Sequence, residues 1–503
     1  LINAETGEHK VLYDQDAMGF ASCDWLPDSS GLIVCHSKGK TPWMELPDSH
    51  FSRVDLKGKA KPIKTGVKGP KGTLRVSPDG KNLAWLGTDV VEPWGAPSER
   101  VWMMPLDGSS SAVCLTADHD LDFGNMTLSD CNFGFVSDGG GSGFLAWSPD
   151  GSKLYSAVGQ HGEVQLVSLD PATKEVAFIT KGEHMFIPCH LSSDGTKAVG
   201  IYGNLTHLPE VAMVDISGGE IKPLTSLNAW VKEEIKLSEP VSHWIDSTDG
   251  VKVQAWVMHP PEVKGAKKKA KKGPGVLTIH GGPHTQYGCA FFHEFQLMAA
   301  QGWTVVFSNP RGSRGYGESF CRAIAGDWGN KDWDDIQAVT QWMKTLPGVD
   351  ASRLGVMGGS YGGYMTNWVI GHCREFKAAI TDRCVSNWIS MIGTSDFPMN
   401  KDEYFGGTPF GPISKIEPIW KQSPMSAFDK VVTPTLIIHS EGDLRCPIEQ
   451  GDQVFAALQA RGIESRFVRY PANTSHGLSR NGPMDMRQHR LGEILAWWKK
   501  HLD

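Results

Sequence analysis

Ser360 stands in GVMGGSYGGYM, residues 355–365, between Gly358 and Gly359 on one side and Gly362 and Gly363 on the other. Glycines gather where a backbone turns through positive φ or where another chain passes close by, and a serine presented in such a setting suits a nucleophile. A serine hydroxyl attacks poorly at neutral pH unless a base takes its proton and a carboxylate orients that base. Downstream, IIHSEGDLRCP (437–447) offers Asp443 just past an apolar run, and VRYPANTSHGLS (468–479) offers His476 in a polar loop. The order Ser, Asp, His along the chain is that of parallel-sheet hydrolases, whose sites gather at the carboxyl ends of strands. Asp382, at the end of an earlier strand, is the alternative acid. Of the rival bases, His439 falls inside a strand and reads as buried structure, and His372 lies on the helix after the serine, pointing away. Acyl transfer also needs two donors preset for the oxyanion. One is the backbone N–H of Tyr361; the other comes from the loop IHGGPH (279–284), with Gly282 the chosen donor.

These residues need a scaffold that brings strand ends together. ASRLGVM (351–357) has the pattern of a buried strand and YMTNWVIGHC (364–373) that of a helix with one apolar side. Strand, sharp turn and helix around Gly-x-Ser-x-Gly make a nucleophile elbow. Around it strands alternate with helices: a hairpin over 242–260, strands at 275–283, 303–310, 376–382 and 433–440, and helices at 334–346 and 490–502. Such alternation predicts a mostly parallel sheet covered on both faces, an α/β hydrolase domain over 236–503.

The first 235 residues follow another grammar. A polar turn recurs in WLPDSSGLIV (25–34), VSPDGKNLAW (76–85), WSPDGSKLYS (147–156) and LSSDGTKAVG (191–200), each followed by a second shared pattern: FSRVDLKG, VWMMPLDG, VQLVSLDP and VAMVDISG. Repeats of this length predict four-stranded propeller blades, with an insertion at the acidic, glycine-rich stretch 117–143. INAETGEHKVL (2–12) matches only the second half of a blade. The expectation is a β-propeller domain over 1–235 that is either incomplete at its start or unusually small.

Composition narrows the partners. The chain has 503 residues, 40% apolar and 21% charged, with a net charge of −7, which gives no reason to expect nucleic acid. KGAKKKAKK (264–272) is then a solvated loop. No apolar run is long enough to span a bilayer, and LINAETGEHK lacks the basic and apolar regions of a signal peptide. The ten cysteines are scattered without a C-x-x-C pair. Reduced thiols and a cytoplasmic location are the resulting expectation.

HGGPH (280–284), NPRGSRGYG (309–317), GGSYGGYM (358–365), DLRCP (443–447) and SHG (475–477) follow in an order that resembles the prolyl oligopeptidase family of serine peptidases. Within it, the acylaminoacyl-peptidase branch is the most similar. The resemblance implies a triad of Ser360, Asp443 and His476 in a cavity between propeller and hydrolase, and substrates that are short or N-terminally blocked oligopeptides. It implies no metal and no organic cofactor, and leaves homo-oligomerisation open. His280 takes the place of a tyrosine that other branches use as an oxyanion donor, which favours the backbone of Gly282. The segment RCVSNWISM (383–391) resembles the lining of the pocket for the residue before the scissile bond, with Val385 and Trp388 as its apolar residues and Phe397, beyond the segment, as a further candidate, ordinary core packing being the alternative. Arg445 matches an arginine that holds a substrate carbonyl or carboxylate, a structural ion pair being equally in keeping. The rival readings are a dipeptidyl peptidase, another exopeptidase or an esterase on the same scaffold, and a catalytically inactive propeller interaction module.

Overall fold

The computed structural model describes residues 1–16, 22–38, 48–90, 95–131, 143–261, 272–397 and 402–503. The polybasic stretch up to residue 271, and 132–142 of the glycine-rich insertion, lie outside them. Two compact units divide the chain. The first comprises Leu1–Asn125, Gly141–Tyr202 and Glu210–Thr225, the second Met126–Gly140, Gly203–Pro209 and Ser226–Asp503. The division thus falls ten residues before the expected 235/236, and two earlier segments join the second unit. Long-range contacts explain the first of these. Leu128 N–H donates to Gln286 O at 2.8 Å, and Gln286 N–H to Met126 O at 3.0 Å. The Asp130 carboxylate accepts from the backbone of His293 and Glu294 at 2.8 Å each, capping helix His293–Ala300 from another part of the chain.

In the first unit, three successive antiparallel meanders of four strands begin at Ser22, Lys71 and Leu145. A fourth set, from Met185–Leu191 to Ile221–Pro223, pairs in chain order and joins the third through a parallel bridge between Val164 and Met185. The recurring turn has a physical cause. In three copies a serine hydroxyl donates to the turn aspartate at 2.6 Å (Ser77–Asp79, Ser148–Asp150, Ser192–Asp194). The same oxygen accepts from the returning strand at 2.9–3.0 Å. Gly80, Gly151 and Gly195 each supply φ 72 at the bend, while the first copy forces Ser29 to φ 57. Residues 2–12 make one antiparallel bridge, Ile2 to His9.

The second unit is built on eight strands: β1 Val241–Asp246, β2 Lys252–Met258, β3 Gly273–Ile279, β4 Thr304–Asn309, β5 Val349–Ser360, β6 Ala378–Cys384, β7 Thr435–Ser440 and β8 Ser465–Tyr470. They lie in the order β1-β2-β4-β3-β5-β6-β7-β8. β1–β2 and β2–β4 are antiparallel and the remaining pairs parallel. Side chains alternate between two cores, as the period of a strand requires. Leu277, Val356, Ala379 and Ile437 pack with helices Lys331–Thr345, Tyr361–His372 and Glu449–Ala460. Their neighbours Val276, Met357, Ile380 and Ile438 pack with His293–Ala300 and Met484–Leu502. Because β3 and β5 to β8 run parallel, their carboxyl ends share one edge of the sheet. The loop of 280–284, Ser360, Asp382, Asp443 and His476 all follow or end these strands.

Candidate active site

Ser360 closes β5 with φ 62 and ψ −123 and sits immediately before helix Tyr361–His372. A non-glycine residue held there costs about 1–3 kcal/mol and persists only where its surroundings impose it. The glycines around it supply that surrounding. A Cβ on Gly358 would lie 2.5 Å from Gly362 O, one on Gly362 2.0 Å from Ile279 O, and one on Gly363 2.8 Å from Asp382 O. The helix therefore starts in direct backbone contact with β3 and β6, and the turn that carries Ser360 has no room to relax.

Asp443 follows β7 and is buried. Its Oδ1 accepts from Cys446 N at 2.9 Å, and its Oδ2 lies 2.7 Å from His476 Nδ1. Burial by itself would raise the Asp443 carboxyl, but the facing His476 and His439 rings and the Cys446 N–H hold it below its ordinary value. A charged carboxylate only accepts, so His476 Nδ1 carries the proton and Nε2 is left bare as a base. Burial, the largest influence on His476, lowers its pKa; Asp443 offsets part of this, and Arg383 and Arg480 add to the lowering. Near neutral pH the pair is thus Asp443⁻ with a neutral imidazole.

The rivals are engaged elsewhere. Asp382 Oδ2 accepts from Arg490 Nη2 at 2.6 Å and Nε at 3.0 Å, and from Arg383 Nη1 at 2.9 Å. His439 is buried and donates from Nε2 to Cys446 O at 2.8 Å, with Asp443 Oδ2 at 3.6 Å. His372 donates to Trp368 O at 2.8 Å and stacks on that indole at 4.2 Å.

The loop after β3 lies against Ser360: a Cβ on Gly281 would be 3.0 Å from Gly359 O and 3.1 Å from Ser360 Cβ. Gly282, next in the loop, has φ 126, which demands glycine. His280 is buried and occupied within the loop, with Nδ1 2.7 Å from Gly281 O and Nε2 2.8 Å from Ser313 Oγ. Burial lowers its pKa to about 4, so it stays neutral. Its side chain is thus spent on holding the loop. Tyr361 places its N–H at the first helical position. Its hydroxyl donates to Asp332 Oδ2 at 2.7 Å, and burial pushes that carboxyl up to about 7.

The expected pocket residues divide. Trp388 is fully buried, edge-on to Trp328 at 5.0 Å and against Phe405 at 4.3 Å. Val385 belongs to the same apolar cluster. Both side chains therefore pack within this aromatic cluster. Phe397 is half-buried beneath the Arg445 guanidinium, 5.1 Å from the ring centre. Arg445 Nε donates to Asp396 Oδ1 at 2.8 Å, an ion pair that leaves the guanidinium partly exposed. Three residues escaped the sequence reading. Asp332 looks like a routine acid in a helix's first turn, Asp396 has no motif, and Leu444, 68% exposed inside DLRCP, looks like core. Among the described residues no group of three or more His, Cys, Asp and Glu could hold a metal ion, and no helix is long and apolar enough to cross a membrane.

Residues 289–503 match the model of the prolyl oligopeptidase family. The uncharacterized peptidase YuxL of Bacillus subtilis is 46% identical over 286 residues, covering 57% of this chain and 42% of its own length. Dipeptidyl-peptidase 5 of Porphyromonas gingivalis is 26% identical over 492 residues, covering 96% of this chain and 67% of its own length. The acylaminoacyl peptidase of Pyrococcus horikoshii is similar in structure, with a TM-score of 0.78 at 25% identity over 96% of this chain and 71% of that one. The chain spans less than half the length of YuxL and about two thirds of the dipeptidyl peptidase.

Proposed function

We propose, on the premise that this chain belongs to the prolyl oligopeptidase family, that it is a serine peptidase releasing short or N-terminally blocked units from oligopeptides through an acyl-enzyme. The observation that carries this is the 2.7 Å contact of His476 with Asp443, at the same sheet edge as the strained Ser360. In this reading Ser360 Oγ attacks the scissile carbonyl carbon while His476 Nε2 takes its proton. The backbone N–H groups of Tyr361 and the Gly281–Gly282 loop stabilise the oxyanion. His476 then returns the proton to the leaving amine as the C–N bond breaks, and water, activated by the same ring, hydrolyses the acyl-Ser360 ester. The four-stranded repeats of the first unit are propeller blades, as in the family. The acylaminoacyl-type activity is supported by the similarity in structure to the Pyrococcus horikoshii enzyme.

A second reading, release of dipeptides from free N-termini, is favoured by the match to dipeptidyl-peptidase 5 over nearly the whole chain. Three chromogenic substrates separate the readings: an acetylated amino-acid anilide, a free-amine dipeptide anilide and a simple ester. The first reading expects the highest kcat/KM among the amides on the acetylated compound. Preference for the free-amine dipeptide would establish the second, and turnover of the ester alone would leave an esterase.

A further inference from the structure

Opposite the nucleophile, β6 holds one residue more than β5. Gly359 pairs with Asp382 and Ser360 with Cys384, so Arg383 is pushed out of the ladder as a bulge. Bulges re-aim side chains and concentrate beside active sites. Arg383 also has φ 37, a second strained non-glycine residue next to the first. Its side chain is 14% exposed and turns back over the elbow. The guanidinium carbon lies 2.7 Å from where a Cβ on Gly359 would be. Nη1 donates to Asp382 Oδ2 at 2.9 Å and to Ser479 Oγ at 3.2 Å, and Nε is buried without a hydrogen-bond partner. Ser479 lies on the short helix that follows His476. One planar side chain thus touches the turn before Ser360 and the segment after His476.

We propose that Arg383 is a positioning residue that ties the nucleophile turn to the histidine loop and sets a fixed cation beside His476. The inference rests on the reading of Ser360 and His476 as nucleophile and base. Asp443 favours a protonated imidazole, whereas Arg383 from β6 and Arg480 from the helix after the loop oppose it. Deleting the Arg383 charge therefore raises the pH at which His476 becomes protonated. Lysine would keep the charge but lacks the planar fork that reaches two acceptors while lying flat on Gly359.

The test uses the full chain and an acylated amino-acid anilide, with kcat, KM and the pH profile measured for each variant and melting as a control. Arg383→Ala should lower kcat about tenfold to a hundredfold, the scale of an ångström-sized misplacement, and change KM less than about threefold. It should raise the acid-limb midpoint by about half a pH unit. Arg383→Lys should return the midpoint to the wild-type value with kcat restored only in part. Gly359→Ala, whose methyl group meets the guanidinium, should cost activity in the native background and nothing further beside Arg383→Ala. If Arg383→Ala does not fold, Arg383→Gln keeps a donor for Ser479 without charge and should still shift the midpoint. An unmoved midpoint, or equal damage from Gly359→Ala in both backgrounds, overturns the proposal. Fluorophosphonate labelling of wild-type Ser360 separates the two levels. Labelling with unaffected Arg383 variants refutes the positioning role alone, and absence of labelling refutes the reading on which it rests.

Discussion

Gly362→Ala adds one methyl group where helix Tyr361–His372 crosses the end of β3, and the structure sets the size of the disturbance. The new Cβ would stand 2.0 Å from Ile279 O, 2.8 Å from Ile279 C and 2.9 Å from His280 O, all backbone atoms that cannot swing aside. Ordinary contact begins near 3.4 Å, so helix and strand must part by about 1.4 Å (3.4 minus 2.0). Both proposed oxyanion donors sit at this crossing, one on the helix and the other on the loop leaving β3. Separating them by an ångström or more should cost about a hundredfold in kcat, with KM little changed. Overpacking should destabilise the unit by about 1–3 kcal/mol, lowering its melting temperature by about 2–4 °C per kcal/mol for a unit of this size. Gly492→Ala is the control: it lies within helix Met484–Leu502 with open space around it, and should leave kcat alone while stabilising slightly. Steady-state kinetics and calorimetry on the two variants decide the matter. A Gly362→Ala enzyme with native kcat and melting temperature would show that the close crossing is not what positions the oxyanion donors.

Asp443→Asn should reduce kcat by about four orders of magnitude by losing the charge and tautomer control on His476. Asp382→Asn should weaken stability far more than chemistry, and the reverse pattern would transfer the acid to Asp382. Because burial holds His476 below its ordinary value of about 6.5 and Asp443 stays charged, kcat/KM should be flat near neutrality. It should fall by one proton step only below about pH 6.5; a midpoint above 7 would contradict the neutral base. Arg490 lies between buried Asp382, at 2.6 Å, and partly buried Glu294, at 2.5 Å. Arg490→Met should cost about 3–5 kcal/mol in denaturant unfolding by stranding them, and a loss under 1 kcal/mol would show that the acids find other partners.

What the sequence made legible was whatever obeys a local rule. Strand and helix periods, the three serine–aspartate turns and the elbow glycines each follow from contacts a few residues apart, and their positions in the fold match. The Asp443–His476 pair also followed from chain order, because parallel strands deliver their ends to one edge. Element ends were less legible. Helix Met484–Leu502 starts before the expected 490 because MDMRQH carries little apolar signal. Features that depend on distant partners were not legible at all. The capping of helix His293–Ala300 by Asp130, the bulge at Arg383 and the Arg445–Asp396 pair join segments whose sequences contain no sign of one another. Trp388 illustrates the limit most sharply, since its contacts with Trp328 and Phe405 bring together residues that the sequence gives no reason to pair.

The central claim is that Ser360 is the residue acylated during turnover. Treating the full chain with a fluorophosphonate and mapping the adduct by mass spectrometry tests it directly. One adduct per chain on Ser360, formed in step with loss of peptidase activity and abolished in Ser360→Ala along with about a millionfold of kcat, is the predicted result. An adduct on another residue, or undiminished turnover by a clean preparation of Ser360→Ala, would contradict the account.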